Sequence, residues 1–142
     1  MDDQELYAIF RKNGYKVTSQ RLAVYNYLIS REDHPSADEI FNALKEEHPT
    51  ISLGTIYNSL SVLRDLGLIQ ELGFNEGSSR YDPNTEVHVN MVCEKCGEIH
   101  DYYPEFLETL WEKITNSLEI TPTGQRIDIY YQCEKCSNQM KE

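Results

Sequence analysis

The chain has 142 residues, 39% of them hydrophobic, and a formal net charge of −11. That length supports one good-sized core or two small ones, and no apolar run approaches the ~20 residues of a membrane span. The acidic balance, 8 basic against 13 acidic groups in residues 1–82 and 5 against 11 in residues 83–142, excludes a generic polyanion binder, because no block of Lys and Arg is present. The opening MDDQELYAIF has no basic-then-apolar pattern, so a cytoplasmic location is expected.

Leu6, Ile9 and Phe10 at helical spacing predict a short helix over residues 3–12, closed by Asn13-Gly14. Thr18 or Ser19 is suited to cap a second helix running to about Ser30, with Leu22, Val24, Tyr25, Leu28 and Ile29 as its apolar positions. A loop through His34-Pro35 leads to Ser36-Ala37-Asp38-Glu39, a capping box for a third helix carrying Ile40, Phe41 and Leu44. Pro49 blocks its continuation, and Ser52 caps a fourth helix from Leu53 to Leu66, stopped by Gly67. There Ile56, Leu60 and Leu63 face a core, which leaves Thr55, Tyr57, Asn58 and Ser61 outward or at the edge. Leu68 to Leu72 reads as a strand, 75–79 as a turn and Arg80-Tyr81-Asp82 as the returning strand. Helices followed by a β-hairpin make a winged helix-turn-helix plan, in which the fourth helix enters a DNA major groove.

The pattern changes after Asp82. Val87 to Cys93 and Glu98 to Tyr103 alternate as strands, Pro104 is expected to start a helix with Phe106, Leu107, Leu110, Trp111 and Ile114 as its apolar stripe, and Gln125 to Cys133 alternates again. The whole is therefore expected to be α+β: a winged-helix DNA-binding domain, 1–82, then a small α/β dimerisation domain, 83–142, with a three-stranded antiparallel sheet. So small a core calls for a metal staple or a partner subunit. Cys93-x-x-Cys96-Gly97 and Cys133-x-x-Cys136 supply the staple. Four thiolates in two such pairs match tetrahedral zinc with no position left open for chemistry. In a reducing compartment this spacing favours a metal over disulfides. Harder donors, Asp82, His88, Asn90 and Asp101, surround the first knuckle and suggest a separate nitrogen/oxygen site.

Val17-Thr18-Ser19-Gln20-Arg21, His34-Pro35-Ser36-Ala37-Asp38-Glu39-Ile40, Thr55-Ile56-Tyr57-Asn58-Ser59-Leu60, Arg80-Tyr81-Asp82 and the paired cysteines together resemble the ferric uptake regulator family of metal-sensing winged-helix repressors. Asn58 after the helix Tyr, and aspartates at 82 and 101, look most like its peroxide-sensing, PerR-like branch. The resemblance implies a regulatory site of His34, Asp82, His88, Asn90 and Asp101, holding iron(II) or manganese(II), beside a structural zinc on Cys93, Cys96, Cys133 and Cys136. It also implies a homodimer on a double-stranded operator, contacted by Arg21, Thr55, Tyr57, Asn58 and Arg80, with peroxide oxidising His34 or His88. Asn90 departs from the family pattern, which has a second His there. The alternatives are a zinc- or iron-uptake regulator of the same family without peroxide sensing, a metal-dependent enzyme, and a zinc-stapled protein-interaction adaptor. No nucleophile–base pair or phosphate loop accompanies the donors to support the enzyme.

Overall fold

The computed structural model describes residues 1–73 and 79–140. The chain divides into two compact units, Met1–Thr85 and Glu86–Glu142. In the first, four helices precede a hairpin: α1 Asp3–Lys12, α2 Ser19–Ile29, α3 Ala37–Leu44 and α4 Leu53–Asp65, then β1 Gln70–Leu72 and β2 Arg80–Asp82. Each helix starts where a short polar side chain takes an otherwise unpaired amide. Thr18 caps α2, Ser36 caps α3 and Ser52 caps α4, accepting from the amides of Arg21, Glu39 and Thr55 respectively. The fully reciprocal box is at α1, where Asp2 accepts from the Glu5 amide at 2.8 Å and Glu5 accepts from the Asp2 amide at 3.0 Å. At α3 the Ser36 hydroxyl instead donates to Glu39 Oε1 (3.3 Å).

Ile56, Leu60 and Leu63 of α4 are buried as expected, against Phe10, Val24, Leu28 and Ile40 of the other helices and Tyr81 of the hairpin. The strands pair antiparallel in the register Gln70↔Asp82 and Leu72↔Arg80, the hairpin of a winged helix. Four of the five residues expected in its turn, 75–78, lie outside the described residues. A further link ties this hairpin to the start of α3, since the Tyr81 amide donates to the Pro35 carbonyl at 3.0 Å.

The second unit contains β3 Val89–Cys93, β4 Ile99–Tyr102, α5 Leu107–Ser117, β5 Ile127–Tyr131 and α6 Glu134–Met140. Its sheet has the order β4-β3-β5. The expected all-antiparallel sheet is corrected here: β3 and β4 are antiparallel, but β3 and β5 are parallel. Alternating apolar residues report burial of one face and carry no information on strand direction. The long connection through α5 is what permits a parallel neighbour, which a tight hairpin does not. Pro104 does not start α5; its carbonyl accepts from the Leu107 amide (3.0 Å) in a turn, and the helix begins at Leu107. The short α6 carries no apolar periodicity and was not expected. Of the α5 stripe only Leu107 is buried, while Phe106, Leu110 and Ile114 are exposed on a single chain. No helix among the described residues is long and apolar enough to cross a membrane.

The turn after α4 depends on Gly67, whose φ of +74° lies in the left-handed region and lets the Leu68 amide close on the Leu63 carbonyl at 3.0 Å. A Cβ added there meets nothing within 4 Å, so the cost of a side chain is purely one of backbone. Gly67→Ala is expected to lower the unfolding free energy by about 1–2 kcal/mol, and Gly67→Asn by less, in chemical denaturation. Equal stability of all three proteins would show that the turn relaxes.

Candidate metal centres and an exposed helix face

Parallel pairing sets the end of β3 beside the end of β5, with Cys93 opposite Tyr131. The Glu94 amide donates to the Tyr131 carbonyl at 2.9 Å, and Gly97 (φ +77°) turns the first knuckle back. The four cysteine sulfurs converge as a result. Cys93 and Cys136 are 3.8 Å apart, Cys96 and Cys133 are 3.7 Å apart, and all four sulfurs lie within 4.8 Å of one another. A zinc–sulfur bond of ~2.3 Å gives a tetrahedron with edges of roughly 3.8 Å, so the cluster has the size of a zinc site. Hydrogen bonds from the backbone amides of Cys96 and Cys133 bring the Cys93 thiol down to about 6. Hydrogen bonding to Cys133, then burial, pushes Cys136 up to about 12. Four adjacent thiols resist ionising together unless a cation sits among them.

Harder donors are found in both units. In the first, His34 Nε2 lies 3.1 Å from Asp82 Oδ2, and both residues are buried. His34 is the only non-glycine residue with positive φ (52°) among the described residues, a conformation that persists only when its surroundings impose it. Arg80 imposes it. Its Nε donates to the His34 carbonyl and its Nη2 donates to the Asp33 carbonyl at 3.0 Å. Asp82 is oriented in turn by the Asn84 amide, which donates to Oδ1 at 2.9 Å.

In the second unit, His88 and Asn90 point to one face of the sheet, and Asn90 stands opposite Asp101 across β3 and β4. His88 Nε2 is 3.1 Å from Asn90 Oδ1 and 3.5 Å from Asp101 Oδ1. His88 Nδ1, 2.7 Å from the Glu86 carbonyl, is the nitrogen that carries the hydrogen, because a carbonyl only accepts. With the ring neutral, as a metal ligand must be, Nε2 then carries its lone pair on the side of the two oxygens. Imidazole nitrogens and oxygens without a thiolate suit iron(II), manganese(II) or zinc rather than copper(I). His100 is exposed and paired with Glu98 at 3.3 Å, apart from this group.

On α4, Tyr57 is 46% exposed, and Asn58 and Ser61 are exposed beside it. Arg21 stands next to them, its Nη2 donating to Asn58 Oδ1 at 3.4 Å and its Nη1 to the Lys16 carbonyl at 2.7 Å. Thr55 is half-buried, with its hydroxyl 2.9 Å from that of Ser52 at the helix start. Two residues matter in ways the sequence reading missed: Arg80 as the clasp on the His34 loop, and Asp128, which accepts from Asn90 Nδ2 at 3.1 Å. Alternation on β5 set Asp128 and Arg126 on one face, but only the strand register identifies Asn90 as the neighbour.

Known proteins resemble this chain over nearly its full length. The model of the Ferric uptake regulator family matches residues 12–130. The Peroxide-responsive repressor PerR of Staphylococcus epidermidis is 40% identical over 136 residues, covering 96% of this chain and 91% of that protein. Among solved structures, PerR from Streptococcus pyogenes, studied for peroxide sensing and gene regulation, superposes with a TM-score of 0.54 at 32% identity, over 93% of this chain and 90% of the other. The Ferric uptake regulator from Pseudomonas aeruginosa with manganese reaches 0.76 at 25% identity, over 94% and 99%.

The sulfur cluster generates a direct expectation. Wild-type protein should carry about one tightly held zinc per chain, and Cys96→Ser should lose it and unfold the second unit, because metal binding there is folding free energy. Metal analysis with circular dichroism checks this. A zinc-free Cys96→Ser protein that keeps its fold would make the cluster dispensable.

Proposed function

The chain belongs to the ferric uptake regulator family, and from that premise we propose that it is a cytoplasmic, homodimeric repressor whose nitrogen/oxygen donors sense peroxide through a bound iron(II). The family and its named relatives are regulators and not enzymes. The observation that carries the reading is the two donor groups, His34 with Asp82 in one unit and His88 with Asn90 and the half-buried Asp101 in the other, kept separate in chemistry from the sulfur cluster. Relatives named as peroxide-responsive repressors support the finer assignment.

In this reading the two groups share one ion, so its binding selects one placement of the winged-helix unit on the dimer. When bound, iron(II) supplies the redox chemistry with peroxide, while manganese(II) supplies the structural effect alone. The protein's part is to present His34 in a fixed conformation, which Arg80 does, and to keep His88 Nε2 turned toward the oxygens. We therefore assign Arg80 to holding the His34 loop, with phosphate contact secondary, because two of its donors are already committed to carbonyls. Two copies of α4, held about one DNA turn apart by the dimer, present Tyr57 and Asn58 to bases and Arg21 to the backbone. A second copy of the chain covers Phe106, Leu110 and Ile114, whose exposure fits an interface between subunits. The acidic surface holds down non-specific DNA binding. A regulator without peroxide sensing is the second reading, favoured by one residue, Asn90, which offers an amide oxygen in place of an imidazole.

The test begins by selecting an operator from genomic fragments with manganese-loaded protein. Gel shifts should then show binding with manganese(II) or iron(II) and release with chelator. Iron-loaded protein should lose binding on exposure to peroxide, with an oxidised His34 or His88 in its mass spectrum. Survival of iron-loaded protein in peroxide would leave the second reading. His34→Ala should abolish the metal response with zinc content unchanged, and a normal response would remove that residue from the site. Tyr57→Ala should weaken operator binding by about 1–3 kcal/mol under saturating manganese; unchanged affinity would place recognition elsewhere.

A further inference from the structure

A carboxamide has one end that donates and one that accepts, and the two are almost the same shape. Which end faces a metal is decided by what holds the other. Asn90 is 1% exposed, so water does not decide it. Its parallel neighbour Asp128 does. Asn90 Nδ2 donates to Asp128 Oδ1 at 3.1 Å. That carboxylate is itself fixed by Arg126, whose Nε donates to Oδ1 at 3.1 Å and whose Nη2 lies 2.7 Å from Oδ2, and by the Tyr130 hydroxyl, 3.3 Å from Oδ2. An ionised carboxylate only accepts, so the Asn90 oxygen cannot face it. The oxygen therefore turns the other way, 3.1 Å from His88 Nε2.

The same register sets Asp101, Asn90 and Asp128 in one row across β4, β3 and β5. On one side of Asn90, His88 Nε2, the amide oxygen and Asp101 Oδ1 face one another, an arrangement that a cation satisfies when the imidazole is neutral and presents its Nε2 lone pair. If the amide turned over, its NH2 would donate into the His88 lone pair and block that ligand.

We propose that Asp128 is the positioning residue that makes Asn90 an oxygen ligand, and that it thereby sets the hard-cation preference of the regulatory site. The proposal rests on the reading that His88, Asn90 and Asp101 hold the regulatory ion. With one imidazole and two oxygens from this unit, the site prefers manganese(II) or iron(II) to zinc more strongly than a site with a second imidazole would.

The test uses the full-length dimer with its zinc in place, titrated with manganese(II) and followed by the paramagnetic resonance of the free ion. Asp128→Ala should weaken manganese binding about 10- to 100-fold, as loss of a group orienting a ligand does, with zinc still at one per chain. Asn90→Asp placed on top of Asp128→Ala should restore most of the affinity, because a carboxylate presents oxygen whichever way it turns. A residue that merely supported the fold would not be rescued this way. Asn90→Asp alone should fall short of that double variant, since it sets two carboxylates side by side.

Wild-type affinity in Asp128→Ala, or a double variant no better than Asp128→Ala, overturns the proposal while the site itself stands. If His88→Ala binds manganese as the wild type does, the ion is not held by these residues, and the regulatory-site reading and the proposal both fall.

Discussion

The sulfur cluster constrains everything else in the second unit. Four sulfurs within 4.8 Å of one another require that the knuckle after β3 and the knuckle after β5 lie at the same end of the sheet. Adjacent strands meet that requirement only when they run parallel. An antiparallel β5 would have carried its cysteines to the opposite end, ~16 Å away for a five-residue strand. The zinc-binding geometry and the mixed sheet are therefore one fact seen twice. From the parallel register follows the side-by-side placement of Asn90 and Asp128, so the sulfur cluster also shapes the surroundings of the harder donors without touching them.

This bears on what the sequence made legible. The helices of the first unit were readable to within a residue or two because their signals are local: Thr18, Ser36 and Ser52 at the starts, Gly14 and Gly67 after the ends, and core positions of α4 at helical spacing. The family resemblance was legible for the same reason, being carried by short runs of residues. The direction of β5 was misread, since alternation has no arrow. Yet the information was present: two Cys-x-x-Cys pairs that must share one ion, each following a strand, already imply that those strands run the same way. Combining the metal constraint with the strand assignment would have recovered the topology.

Residue type singled out His88, Asn90 and Asp101 as candidate donors, whereas orientation was out of reach. Nothing in the order of residues says that His88 Nδ1 is taken by the Glu86 carbonyl, or that the Asn90 oxygen faces the imidazole. Those are consequences of partners one strand over or two residues back. Arg80 illustrates the same limit from the other side. Its place in the sequence suggests a phosphate contact and does not reveal that its Nε and Nη2 donate to two carbonyls of a loop 46 and 47 positions earlier.

Strand β2 concentrates three duties in three consecutive residues. Arg80 clasps the His34 loop, Tyr81 fills the helical core and donates its amide to Pro35, and Asp82 faces His34. Because side chains alternate along a strand, a slip of one position would bring Arg80 and Asp82 to the core and Tyr81 to the loop. The exposed positions of α4 carry no such load; Tyr57, Asn58 and Ser61 contribute nothing to the buried core. On the proposed reading, in which α4 carries the base contacts, a descendant of this chain would be readdressed to a new operator chiefly by changing α4. Its β2 would stay frozen, and evolution of what is sensed would proceed on a separate set of residues from evolution of where the protein binds.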